Sequence, residues 1–209
     1  MLAALGSIAA QQSNATHQTY DEALWLLNYA ASHPGDIIRY SASDMILHVY
    51  SGASCISEPK ARSRANGYYF LINIPPDPIH APNTNPTLNG PIHTISKIMS
   101  NVVSSAMEAG IGATFLNGQE AVPIRTTLEE LGHPQPSTPI LVDNSTAKGF
   151  ANNTIKQKWS KTIEMHFYWI QDRTQKKQFL IYWNPGSTNL GDYYTRHHPS
   201  NRHCLMHST

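Results

Sequence analysis

Two periodicities alternate along the chain. Residues 1–35 read as helical, and Asp21 to Ala31 (DEALWLLNYAA) sets Leu24, Leu27 and Ala31 on one stripe. Asp21 and Glu22 suit a first helical turn, and Pro34-Gly35 ends the segment. Strands are predicted at Met45 to Ser51, Gly67 to Ile74 and Gly90 to Lys97. The first two are separated by a basic loop (EPKARSR). The second and third are separated by PPDPIHAPNTNPTLNG, which has no periodicity and reads as a flexible hairpin insertion. Val103, Ala106, Met107, Gly110 and Ile111 then recur at helical spacing over Val103 to Asn117. A further helical stretch runs from Ile124 to Leu131, with Gly132 as its C-terminal stop. Ile140 to Val142 is a short buried strand, and Lys161 to Arg173 is a helix with Ile163, Phe167 and Ile170 on one face. Phe179 to Trp183 is apolar on both faces, which predicts a central strand with Trp183 in the core. Asn189 to His197 is the last helix, and residues 199–209 read as a disordered tail.

Consecutive strands followed by strand–helix alternation predict an antiparallel meander joined to parallel crossovers. The fold class is α/β, a mixed five-stranded sheet with helices on both faces. With 209 residues, 40% of them hydrophobic, the chain supports one sizeable domain plus an extra segment. No apolar run is long enough to cross a bilayer, and MLAALGSIAAQQ lacks the positive flank of a signal peptide. Two cysteines make no disulfide framework, so an intracellular, reducing location is expected. A net charge of +1 confines any nucleic-acid binding to local patches.

Two aspartates stand where the pattern changes. Asp143 follows the Ile140 to Val142 strand, and Asn144, Ser145 and Thr146 offer helix caps after it. A carboxylate at such a junction sits on rigid backbone, where open α/β sheets place their ligands. Asp192 lies in the segment after the Phe179 strand and its Pro-Gly turn. Lys156, Lys158, Lys161 and Arg173, with Lys176 and Lys177, flank the Ile163 helix as a candidate phosphate-contacting handle. His197, His198, His203, Cys204 and His207 lack the paired spacing of a zinc site.

Four stretches occur in order: SGASCISEPKARSRANGYYFL, GPIHTISKIMSNVVSSAMEAGIGA, LEELGHPQPSTPILVDNSTAKGFAN and NPGSTNLGDYYTRHH. Together they resemble the ribonuclease H domain of Ty1/copia-type retrotransposon polyproteins. The resemblance implies a ribonuclease H-like domain over residues 41–198. Residues 1–40 would then be a helical connector resembling the end of the reverse transcriptase region. It implies cleavage of RNA in RNA–DNA hybrids by two divalent metals, Mg²⁺ by preference, held by four carboxylates. It also implies hybrid and the reverse transcriptase portion of the same polyprotein as partners. Carried over residue by residue, two of the four metal positions fall on Asp143 and Asp192, which are also the catalytic candidates. The other two fall on Gly52 and Gly110. Two divalent cations 4 Å apart repel by roughly 16 kcal/mol at an effective dielectric of 20. Half the usual negative charge therefore leaves at most one weakly held Mg²⁺ and an impaired enzyme. Glu58 and Glu108 are the nearest candidate substitutes, and Glu108 is about 200° around a helix from Gly110. By the same resemblance, His197 or His198 would assist product release. The alternative function is a non-catalytic nucleic-acid-binding or spacer domain.

Overall fold

The computed structural model describes residues 2–35, 37–75, 86–142 and 161–183. Its sheet has the order β3-β2-β1-β4-β5. The middle strand, β1 (Ile46–Glu58), pairs antiparallel with β2 (Arg62–Ile72), and β2 pairs antiparallel with β3 (His93–Ile98). On its other edge β1 pairs parallel with β4 (Thr138–Val142), and β4 pairs parallel with β5 (Phe179–Trp183). The mixed α/β sheet predicted from the element order is the one observed.

Side-chain alternation divides the sheet into two apolar faces. On one face Leu47, Val49, Tyr69, Ile140, Val142 and Phe179 pack with Ala121 and Leu128 of helix α3 (Ala106–Glu130). Ala65 continues this face, where Ile111 and Ala113 of α3 meet Ile163, Phe167 and Ile170 of α4 (Lys161–Gln175). The other face carries Tyr50, Tyr68, Phe70, Ile72, Leu141 and Tyr182. Arg64 shares the side of Tyr68 and Phe70 and donates to Ser7 Oγ at 3.0 Å, which places α1 (Leu2–Ala10) over this face.

Several elements differ from the sequence expectation. The first 35 residues are helical as read, and they divide into two α-helices, α1 and α2 (His17–Ser32). Thr16 and Thr19 cap α2 reciprocally, so Asp21 and Glu22 fall beyond its first turn. The stripe expected to be buried is exposed, with Leu24 at 44% and Leu27 at 65%. The basic loop is only a tight turn at Pro59–Ala61, because Arg62, Ser63 and Arg64 already belong to β2. The helices expected before and after residue 120 are one 25-residue helix that continues through Pro123. Val103 is buried but precedes the helix, which starts after the Ser105 cap. Finally, β5 ends the strand order instead of lying in its middle, and Trp183 is 40% exposed. Cover on both faces, rather than a central position, accounts for its apolar sequence.

Candidate metal and nucleic-acid site

Of the four positions implied for carboxylates, Gly52 and Gly110 lie among the described residues. Ser51 of β1 pairs with Val142, the last described residue of β4, and Gly52 pairs with Asn66 across to β2. Gly52 therefore stands one residue past the rung that joins β1 to the end of β4. Asp143 follows Val142 in sequence but lies outside the described residues, as do Asp192, Lys156, Lys158, His197 and His198.

Helix α3 is held against these strands by a buried amide. Asn117 Nδ2 donates to Ser51 Oγ and to the Asn66 carbonyl, both at 2.8 Å. Its Oδ1 accepts from the Tyr69 hydroxyl at 2.7 Å, and its carbonyl accepts from the same hydroxyl at 3.1 Å. A Cβ at Gly67 would lie 2.0 Å from that Oδ1, so only glycine admits the amide there. Gly110 is buried two turns earlier on α3, and its carbonyl accepts from Thr114 Oγ1 at 2.8 Å.

The substitute carboxylates are engaged elsewhere. Glu58 Oε1 accepts from Arg64 Nε at 2.7 Å, and that arginine is 1% exposed. Glu108 Oε2 accepts from the Ser104 amide at 2.7 Å and from its hydroxyl at 2.8 Å, while the Glu108 N–H donates to Ser105 Oγ. Glu108 is thus part of the helix cap. The S-x-x-E string at residues 105–108 is the sequence signal for that role. Among the described residues no three His, Cys, Asp or Glu side chains are grouped to hold a metal. The described half of the site, neutral at both Gly52 and Gly110, does not fit a metal pair.

Two polar groups missed by the sequence reading lie on the face opposite α3. Asn66 is fully buried, and among the described residues neither atom of its side-chain amide has a hydrogen-bond partner. His48 Nε2 is 2.7 Å from the Tyr182 hydroxyl, and its Nδ1 has no partner among the described residues. Burial lowers the His48 pKa to about 3 and raises that of Tyr50 to about 12. The Tyr182 hydroxyl is raised as well, by burial first and then by Tyr50.

The four described members of the basic handle do not form one cluster, since Lys161 stands apart from Arg173, Lys176 and Lys177. Lys161 opens α4 and is exposed, whereas Arg173 lies in its last turn, about 18 Å further along the axis. The Arg173 guanidinium sits 5.1 Å from the centre of the Trp169 ring and donates to Gln178 Oε1 at 2.8 Å. Nearby, Lys176 is paired with Asp172 at 2.8 Å.

A central strand flanked by an antiparallel pair on one side and a parallel pair on the other, with helices on both faces, defines a ribonuclease H-like α/β fold. Over nearly its whole length the chain is similar to a retrotransposon Pol polyprotein. The relative is the retrovirus-related Pol polyprotein from transposon TNT 1-94 of Nicotiana tabacum, 23% identical over 199 residues. The similarity takes in 95% of this chain but 14% of that polyprotein. No protein-family model matches the chain. Similar solved structures include LC11-RNase H1 in complex with RNA/DNA hybrid, at 10% identity and a TM-score of 0.48, covering 71% of this chain and 92% of that one. Another is the foamy viral protease-reverse transcriptase in complex with RNA/DNA hybrid, at 17% identity and a TM-score of 0.47, covering 73% of this chain and 20% of that one. Among the described residues no helix is long and apolar enough to cross a membrane.

Proposed function

We propose that this chain is the ribonuclease H-like domain of a Ty1/copia-type element, occupying residues 41–198 behind a helical connector, and that it engages RNA–DNA hybrid with impaired cleavage. One observation carries the reading. Gly52 and Gly110 stand at two implied ligand positions, while the carboxylates of Glu58 and Glu108 are held by Arg64 and Ser104. Asp143 and Asp192 would then hold at most one Mg²⁺, which is commonly bound by one or two carboxylates with water and phosphate. Such an ion would supply charge neutralisation at a phosphate. The pairing of ions that activates water on one side and stabilises a leaving oxygen on the other is lost.

Binding is assigned to the basic handle. Lys161 and Arg173 span about 18 Å of helix, the length of roughly five phosphates along one strand, and Lys156 and Lys158 precede Lys161 in the sequence. The location is intracellular, where such an element copies itself, and the reverse transcriptase portion of the polyprotein is its partner.

The test is a labelled RNA–DNA hybrid incubated with the purified protein in Mg²⁺ or Mn²⁺. Salt-dependent binding without cleavage is expected. A Gly52→Asp, Gly110→Glu double variant is expected to raise cleavage at least tenfold. Cleavage by the unaltered protein that Asp143→Asn abolishes would overturn the proposal.

A further inference from the structure

Helix α2 is the least buried long element among the described residues. Of its sixteen residues only Thr19 is buried. Tyr20, Leu24 and Leu27 are 67%, 44% and 65% exposed at successive turns, and Trp25 beside them is 81% exposed. Ile37 and Ile38, just past the helix, are 76% and 61% exposed. An isolated helix of this length is marginal in water, and helices in proteins draw their stability mainly from packing an apolar face. Contiguous exposed apolar side chains of this kind mark an interaction surface. An indole and isobutyl groups at helical spacing fit a concave apolar groove.

We infer that this face of α2 docks onto the reverse transcriptase portion of a Pol polyprotein. The choice of occupant rests on the extent of the similarity. With 199 of 209 residues matched, α2 falls inside the matched stretch, and that stretch is 14% of the relative. The counterpart of α2 is therefore covalently attached to a far longer chain. Tethering of that kind supplies an effective concentration of order millimolar. A face too small to hold a free partner then suffices, since six side chains are well below the roughly 20 residues per side of a stable free complex.

The test compares amide hydrogen exchange of α2 in this chain alone with exchange in a tandem protein. The tandem joins the segment preceding the matched stretch of the tobacco polyprotein to this chain. Exchange within α2 slows at least tenfold in the tandem, and the Trp25→Asp, Leu27→Asp double variant abolishes the slowing. Both residues are exposed, so the melting temperature of the isolated variant stays within a few degrees of the parent. Equal exchange of α2 in both settings would overturn the inference, as would equal protection in the variant. So would a dimer of the isolated chain that the double variant dissociates, since the face would then belong to a second copy. None of these readings depends on whether hybrid is bound or cut.

Discussion

At the scale of single residues, the site is defined by what glycine permits and what it omits. Gly67 makes room for the Asn117 amide, whose Oδ1 is fixed by the Tyr69 hydroxyl and cannot retreat. Gly67→Ala is therefore expected to destabilise the protein by about 1–3 kcal/mol in urea unfolding, as overpacking does. Under the proposed function Gly52 and Gly110 remove charge, a reading that rests on the motif strings in which both fall. The fate of Glu58 was not legible. Its partner Arg64 lies across a turn that the sequence presents as a loop of mixed charge. The Asn117 network was hidden too, because a mid-helix asparagine gives no sign of which strand it reaches. Asn66 is a different case, being a buried amide without partners among the described residues. Replacing such a group by an apolar one of similar shape costs little, since no hydrogen bond is lost.

At the scale of elements, helix ends were easier to read than helix continuity. Gly132, predicted as the stop, has φ +91 and lies where α3 ends. Its N–H donates to the Glu129 carbonyl, and that of His133 donates to the Leu128 carbonyl, both at 3.0 Å. These two bonds close a Schellman turn. Continuity through Pro123 was missed because a proline usually ends a helical pattern, and here packing on both sides overrides it. The mixture of antiparallel and parallel pairing was recoverable from element succession, but edge against centre was not, since burial on both faces gives an outer strand the composition of an inner one. The docking of α1 also lay beyond the sequence. It rests on Arg64, which reaches Glu58, Ser96 and Ser7 together. Arg64→Met leaves Glu58, whose side chain is 11% exposed, without its cation, and is expected to cost roughly 3–5 kcal/mol by denaturant titration. The Arg64→Met, Glu58→Leu double variant recovers most of that loss, because the penalty comes from the uncompensated charge rather than from losing the pair.

For the molecule as a whole, acid sensitivity follows from His48. Its folded pKa of about 3 lies below the ordinary 6.5, so the unfolded chain binds the proton first. The stability this neutral histidine contributes is complete above pH 6.5 and is lost as pH falls from there toward 3. The melting temperature is expected to drop over that window, and the drop should be shallower in His48→Gln. A slope unchanged by the substitution would assign the acid response to other groups. The mismatch in strand lengths has its own consequence. Among the described residues, strand β1 pairs with β4 from Val49 to Ser51 and continues to Glu58 beside β2. Its outer part crosses an irregularity between Ser54 and Glu58, where Ile56 takes a positive φ. Among the described residues that stretch is a zipper fastened along one seam, which opens from the Lys60 turn inward.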